Sequence, residues 1–149
     1  MNTIFLWGIV MDAFFLCLLA WCSVSDIRNR TVSNCSIIIL LCLGLAHMGY
    51  IQLCRIVWWQ YPAGLLLSIP FFILWLRNKM GAGDVKLIAA IAFYLGLLNT
   101  IVAFFLMALI LAVLLVWSWF EHKSLKQQIP HAPVISAGAV GVILIKYLI

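Results

Sequence analysis

Apolar residues run along this chain in long unbroken blocks rather than in amphipathic stripes. Residues 101–120 are apolar apart from Ser118, and residues 57–76 carry no charge at all. Residues 34–53 and 4–24 form two more such blocks, the latter holding Asp12 near its middle. A helix needs about 20 apolar residues to cross the hydrocarbon core, and all four meet that length. Residues 83–98 and 132–147 are shorter and weaker apolar blocks. The pattern therefore predicts an all-α, polytopic membrane protein of about six transmembrane helices, with residues 1–149 as a single domain. Pro62 and Pro70 are expected to kink the third segment, and Ser33 or Asn34 to cap the second. The Asn99-Thr100 pair reads as the turn before the fifth.

Composition agrees with this reading. The chain is 67% apolar and 9% charged, with a mean hydropathy of +1.21, whereas about a quarter of a soluble domain is charged. The net charge of +5 lies in short loops, not in a basic stripe or reading module, so no nucleic-acid partner is expected. Cys17, Cys22, Cys35, Cys42 and Cys54 lie in or beside apolar segments without a C-x-x-C pair. They read as small core residues rather than zinc ligands or disulfides, and no metal or cofactor is expected. The N-terminus lacks a basic n-region, so the first segment reads as a retained helix rather than a cleaved signal.

Charge then orients the segments. Arg28 and Arg30 follow the first, Arg77 and Lys79 the third, Lys123 and Lys126 the fifth. The alternate side has only Arg55 and Lys146. Basic loops stay cytoplasmic, so both termini are expected outside.

This orientation places Asp26 and Asp84 on the same side. Asp84 stands at the edge of an apolar run in Met80-Gly81-Ala82-Gly83-Asp84-Val85-Lys86, and Asp26 ends the first segment in Ser25-Asp26-Ile27-Arg28. Carboxylates are costly beside hydrocarbon, so such residues are candidate functional groups. Two carboxyls in one site hold a proton between them, and such a pair can act as base toward water and acid toward a carbonyl. Gly81 and Gly83 are expected to reach unusual backbone angles, and Gly83 to allow close packing beside Asp84. Lys86, two residues on, should point to nearly the opposite side of a helix and snorkel to the headgroups. The bland reading makes each aspartate a helix-end residue; their shared side favours the pair. Asp12 lies about 21 Å along a helix from Asp26 and is excluded from that site. A tyrosine or Gln60 is its expected partner. His47, His122 and His131 are scattered and read as packed or interfacial, and no zinc-protease or nucleophile-elbow motif is present.

These residues resemble the prepilin peptidases (type IV leader peptidases), membrane aspartyl proteases. Gly81-Ala82-Gly83-Asp84-Val85-Lys86 is similar to their G-x-G-D-x-K motif, and Asp26 to Asn34 to their first-aspartate region. Ile129-Pro130-His131-Ala132-Pro133, followed by Gly138, is similar to a proline-bearing stretch before their last helix. Ser33 departs from the pattern where proline is common, leaving Asn34 in register. The resemblance implies Asp26 and Asp84 as catalytic residues, with Gly81, Gly83, Lys86 and Asn34 supporting them or positioning substrate. It implies a prepilin or prepseudopilin substrate, cut between its basic leader and apolar helix at the cytoplasmic face of a bacterial inner membrane. The missing paired-cysteine region is similar to short stand-alone members, including those of Flp/Tad-type systems, and implies a peptidase without methyltransferase activity. Two alternatives are a non-enzymatic membrane subunit of a pilus or secretion assembly, and a presenilin-like protease. In the latter the other aspartate typically follows tyrosine, whereas Asp26 follows Ser25 here.

Overall fold

The computed structural model describes residues 2–29, 32–53, 59–122 and 131–148, and these form helices joined by short connections, with no strand among them. The order is α1 (Asn2–Asn29), α2 (Asn34–Leu53), α3 (Gln60–Gly64), a 3₁₀ turn (Leu65–Ser68), α4 (Ile69–Leu76), α5 (Ala82–Leu95), α6 (Leu97–His122) and α7 (His131–Leu148). Leu6–Asn29, Asn34–Gln52 and Leu97–Trp117 are each long and apolar enough to cross a membrane, and Gln60–Leu76 and Ala132–Leu148 are shorter apolar helices. The fold is that of an all-α polytopic membrane protein, and its helices match the six segments of the sequence pattern. Arg30, Arg55, Cys54, Lys123, Lys126 and Pro130 lie outside the described residues.

Two boundaries moved for identifiable reasons. α1 continues to Asn29, so Asp26 sits in the last turn of a helix rather than beyond its end. No proline or glycine interrupts residues 24–29, and Arg28 near the C-terminus suits the helix dipole. The break between α5 and α6 falls at Gly96, not at Asn99-Thr100. Gly96 has φ +78°, a left-handed conformation that glycine adopts without a Cβ penalty. Asn99 and Thr100 instead lie in the first turn of α6, the Thr100 hydroxyl donating back to the Gly96 carbonyl at 2.6 Å and Asn99 Nδ2 to the Leu95 carbonyl at 3.1 Å. The third segment is interrupted by a 3₁₀ turn between its prolines, with Pro70 in the first turn of α4.

The short α5 is the hub. Leu87, Ile88 and every residue from Ala90 to Leu95 are buried, because α2, α3, α4, α6, α7 and the 3₁₀ turn all pack around it. Lipid offers apolar side chains nearly the environment they find in a bundle, so close packing and hydrogen bonds must hold such helices together. Small residues supply the closeness. A Cβ on Gly64 would collide with the Ala92 carbonyl oxygen, and one on Gly138 would sit 2.5 Å from that of Ala103. Cys22 is buried in this core, whereas Cys17, Cys35 and Cys42 face outward, a correction to the core role expected for all of them. α6 presents more exposed large apolar side chains than any other described helix, Phe105, Trp117 and Phe120 among them.

Candidate active site

The connections after α1 and α4 meet at one end of the bundle. There Asp26, Val32, Asn34, Gly81, Ala82, Gly83, Asp84 and Lys86 line one cavity of about 320 Å³, roomy against the ~30 Å³ share of one water. The two aspartates, 58 residues apart in sequence (26 and 84), thus face a common space. Asp26 is buried, and its Oδ2 accepts the backbone N–H of Ala132 at 3.2 Å, from the first turn of α7. Asp84 is half-buried in the first turn of α5, where a carboxylate is favoured by the helix dipole.

The glycines work differently from the sequence expectation. Gly81 has φ −70° and ψ 142°, ordinary extended backbone, and among the described glycines only Gly96 has a left-handed φ. What Gly81 provides is room, since a Cβ there would lie 3.2 Å from Asp84 Oδ2. At Gly83 a Cβ would meet Val32 at 3.5 Å, an ordinary contact that larger side chains would exceed. Lys86 also departs from expectation. It faces the cavity with Asp84, and its Nζ donates to Asn34 Oδ1 at 3.1 Å. Side chains lean toward a helix N-terminus, so a long lysine in the second turn of α5 reaches back to the mouth. The cap position of α2 belongs to Ser33, whose carbonyl accepts the Ile37 N–H at 3.3 Å, leaving the Asn34 side chain available to Lys86.

Asp12 builds a separate polar cluster toward the opposite end of α1. It is 2% exposed and accepts hydrogen bonds from Tyr94 Oη at 2.6 Å, Lys146 Nζ at 2.7 Å and Tyr147 Oη at 2.7 Å. Tyrosine partners match the sequence expectation, and Gln60 is not among these donors. Lys146 is the residue sequence reasoning misread, as a boundary charge. Its pairing with Asp12 spans 134 positions and leaves no local signal. Tyr94 also stacks on Phe15 at 3.9 Å between centroids. His47, buried, stacks on Tyr94 at 4.5 Å and meets Tyr61 edge-on at 5.5 Å, the packed histidine that was expected.

Among the described residues, no group of three or more His, Cys, Asp or Glu side chains is placed to hold a metal ion. No curated protein and no solved structure matches the chain. Residues 13–116 match the type IV leader peptidase family. That stretch holds both aspartates, the glycine turn, Asn34 and Lys86, and it covers well over half of the 149 residues. A membrane bundle with two carboxyls facing one cavity is consistent with peptidase chemistry, and on the strength of the match this chain belongs to the type IV leader peptidase family.

Proposed function

We propose that the chain is an aspartic-type endopeptidase whose catalytic pair is Asp26 and Asp84. The observation that carries this reading is that both side chains face one cavity although they come from different helices. One carboxylate takes a proton from water while the other, protonated, donates to the scissile carbonyl oxygen. The tetrahedral intermediate then collapses as the departing amine receives a proton, and the pair returns to its singly protonated state. Asn34, Lys86, Gly81 and Gly83 line the same space and position substrate or carboxylates.

The substrate of this reading is a type IV prepilin-like or pseudopilin precursor, cut between a basic leader and an apolar helix. Three basic connections support a cytoplasmic aspartate end under the positive-inside rule, and on this reading the reaction runs at the inner face of a bacterial cytoplasmic membrane. Coexpression with a candidate prepilin tests the assignment. Cleavage should appear as a mobility shift that is lost in both Asp26→Asn and Asp84→Asn. A shift that survives either substitution rejects the pair.

A further inference from the structure

α1 and α7 pack against each other and run antiparallel, with a polar joint at each end. Asp12 meets Lys146 and Tyr147 at one end, and Asp26 meets the Ala132 N–H at the other. The intervals match: from 12 to 26 on α1 and from 132 to 146 on α7, fourteen residues each, or about 21 Å of helix. Between the joints, α1 buries Phe15, which stacks on Tyr94 of α5, with Leu19 and Cys22; α7 buries Ser136, Ala139 and Ile143 at the mirrored positions, together with Val134, Ile135 and Val142. Both mirrored series alternate steps of three and four residues, the spacing of a helix–helix seam.

We propose that Asp12 is a positioning residue for Asp26. Its ion pair sets the register of α7 against α1 and thereby delivers the Ala132 N–H to Asp26 Oδ2. This rests on the reading of Asp26 as catalytic. The physical reason is discrimination between registers. A seam of small and apolar side chains gives one register little advantage over a neighbouring one, because lipid and protein are alike to it. A slip by one turn, about 5.4 Å, would separate Asp12 from two of its three donors, both on α7. A buried carboxylate that loses its cation and keeps only the Tyr94 hydroxyl is strongly disfavoured beside hydrocarbon, and setting register is the best-attested role of buried polar groups. The same slip would withdraw the Ala132 amide from Asp26. The two joints are one device read at both ends.

The test uses the whole chain in membranes, with a prepilin substrate and two readouts. Cysteines 17, 35, 42 and 54 are replaced by alanine, leaving Cys22, and a second cysteine is placed at 136, level with it, or at 140, a turn away. The parent should form the 22–136 cross-link in preference to 22–140. Asp12→Leu and Lys146→Met should each erode that preference and lower kcat roughly 10- to 100-fold, as misplacement by an ångström can, with KM changed less than about two-fold. Lys146→Arg should retain both. If Asp12→Leu fails to accumulate, Lys146→Met carries the test, and Asp12→Asn should give the same readings in milder form. Full activity in these variants overturns the proposal, and so does lost activity with an unchanged cross-link pattern. Should Asp26→Asn remain active, the catalytic reading fails instead, while the cross-links still report whether Asp12 sets the register.

Discussion

Lys86 reaches back along α5 to donate to Asn34 Oδ1 at 3.1 Å, joining the start of α2 to the start of α5 at the rim of the aspartate cavity. The bond is exposed, so its net worth is on the order of 1 kcal/mol. Lys86→Met and Asn34→Ala should therefore each reduce kcat/KM of leader cleavage only about two- to ten-fold. Because both act on the same contact, the double variant should lose little more than either single one. Initial rates on one purified precursor decide this, and fully additive losses would show that the two side chains act apart.

The carboxyl pair should behave as a unit. Asp26→Asn and Asp84→Asn keep side-chain size but cannot cycle a proton, so each should lower kcat by at least about 10²- to 10⁴-fold. The double substitution should be scarcely worse than either alone. Membrane insertion, followed by fractionation, should be unaffected.

At the glycine turn the spacing ranks the substitutions. Gly81→Ala puts a methyl 3.2 Å from Asp84 Oδ2, whereas Gly83→Ala meets Val32 at 3.5 Å. The first should impair cleavage more than the second. Gly83→Val, whose branches extend further toward Val32, should in turn be worse than Ala82→Val. Equal tolerance at 81 and 83 would show that Gly81 is not there to make room for the carboxylate.

Gly138 should prove a stability position rather than a catalytic one. A Cβ there would lie 2.5 Å from the Ala103 carbonyl oxygen and 3.1 Å from Met107 Cβ, both on α6. Backbone cannot yield as a flexible side chain does, so Gly138→Val should cost about 1–3 kcal/mol through overpacking. Thermal unfolding in detergent should shift downward. An unchanged midpoint would mean that α6 and α7 separate more readily than their packing suggests.

Topology follows from the basic connections. Cysteines introduced at positions 30 and 79 of a cysteine-free chain should label from the same, cytoplasmic side. Labelling from opposite sides would break the shared-site reading outright.

The linear pattern alone determined the membrane class and the six helical segments, and it singled out Asp26 and the glycine-flanked Asp84 as the candidate pair. Each is written in local properties: apolar run length sets which segments can leave water, and a carboxylate beside hydrocarbon is conspicuous in a chain with four acidic residues. Proline likewise marked where the third segment is interrupted. Only the tertiary structure decided what met across long separations. Lys86 turning toward the cavity, the Ala132 amide on Asp26, and Lys146 answering Asp12 from 134 positions away depend on how helices lie beside one another. The seam residues of α1 show why this was hidden. Apolar side chains face lipid and protein alike in a membrane helix, so hydrophobic pattern does not reveal which face is buried. Gly81 makes the same point at smaller scale: its value lies in the space beside Asp84, which no dihedral preference records.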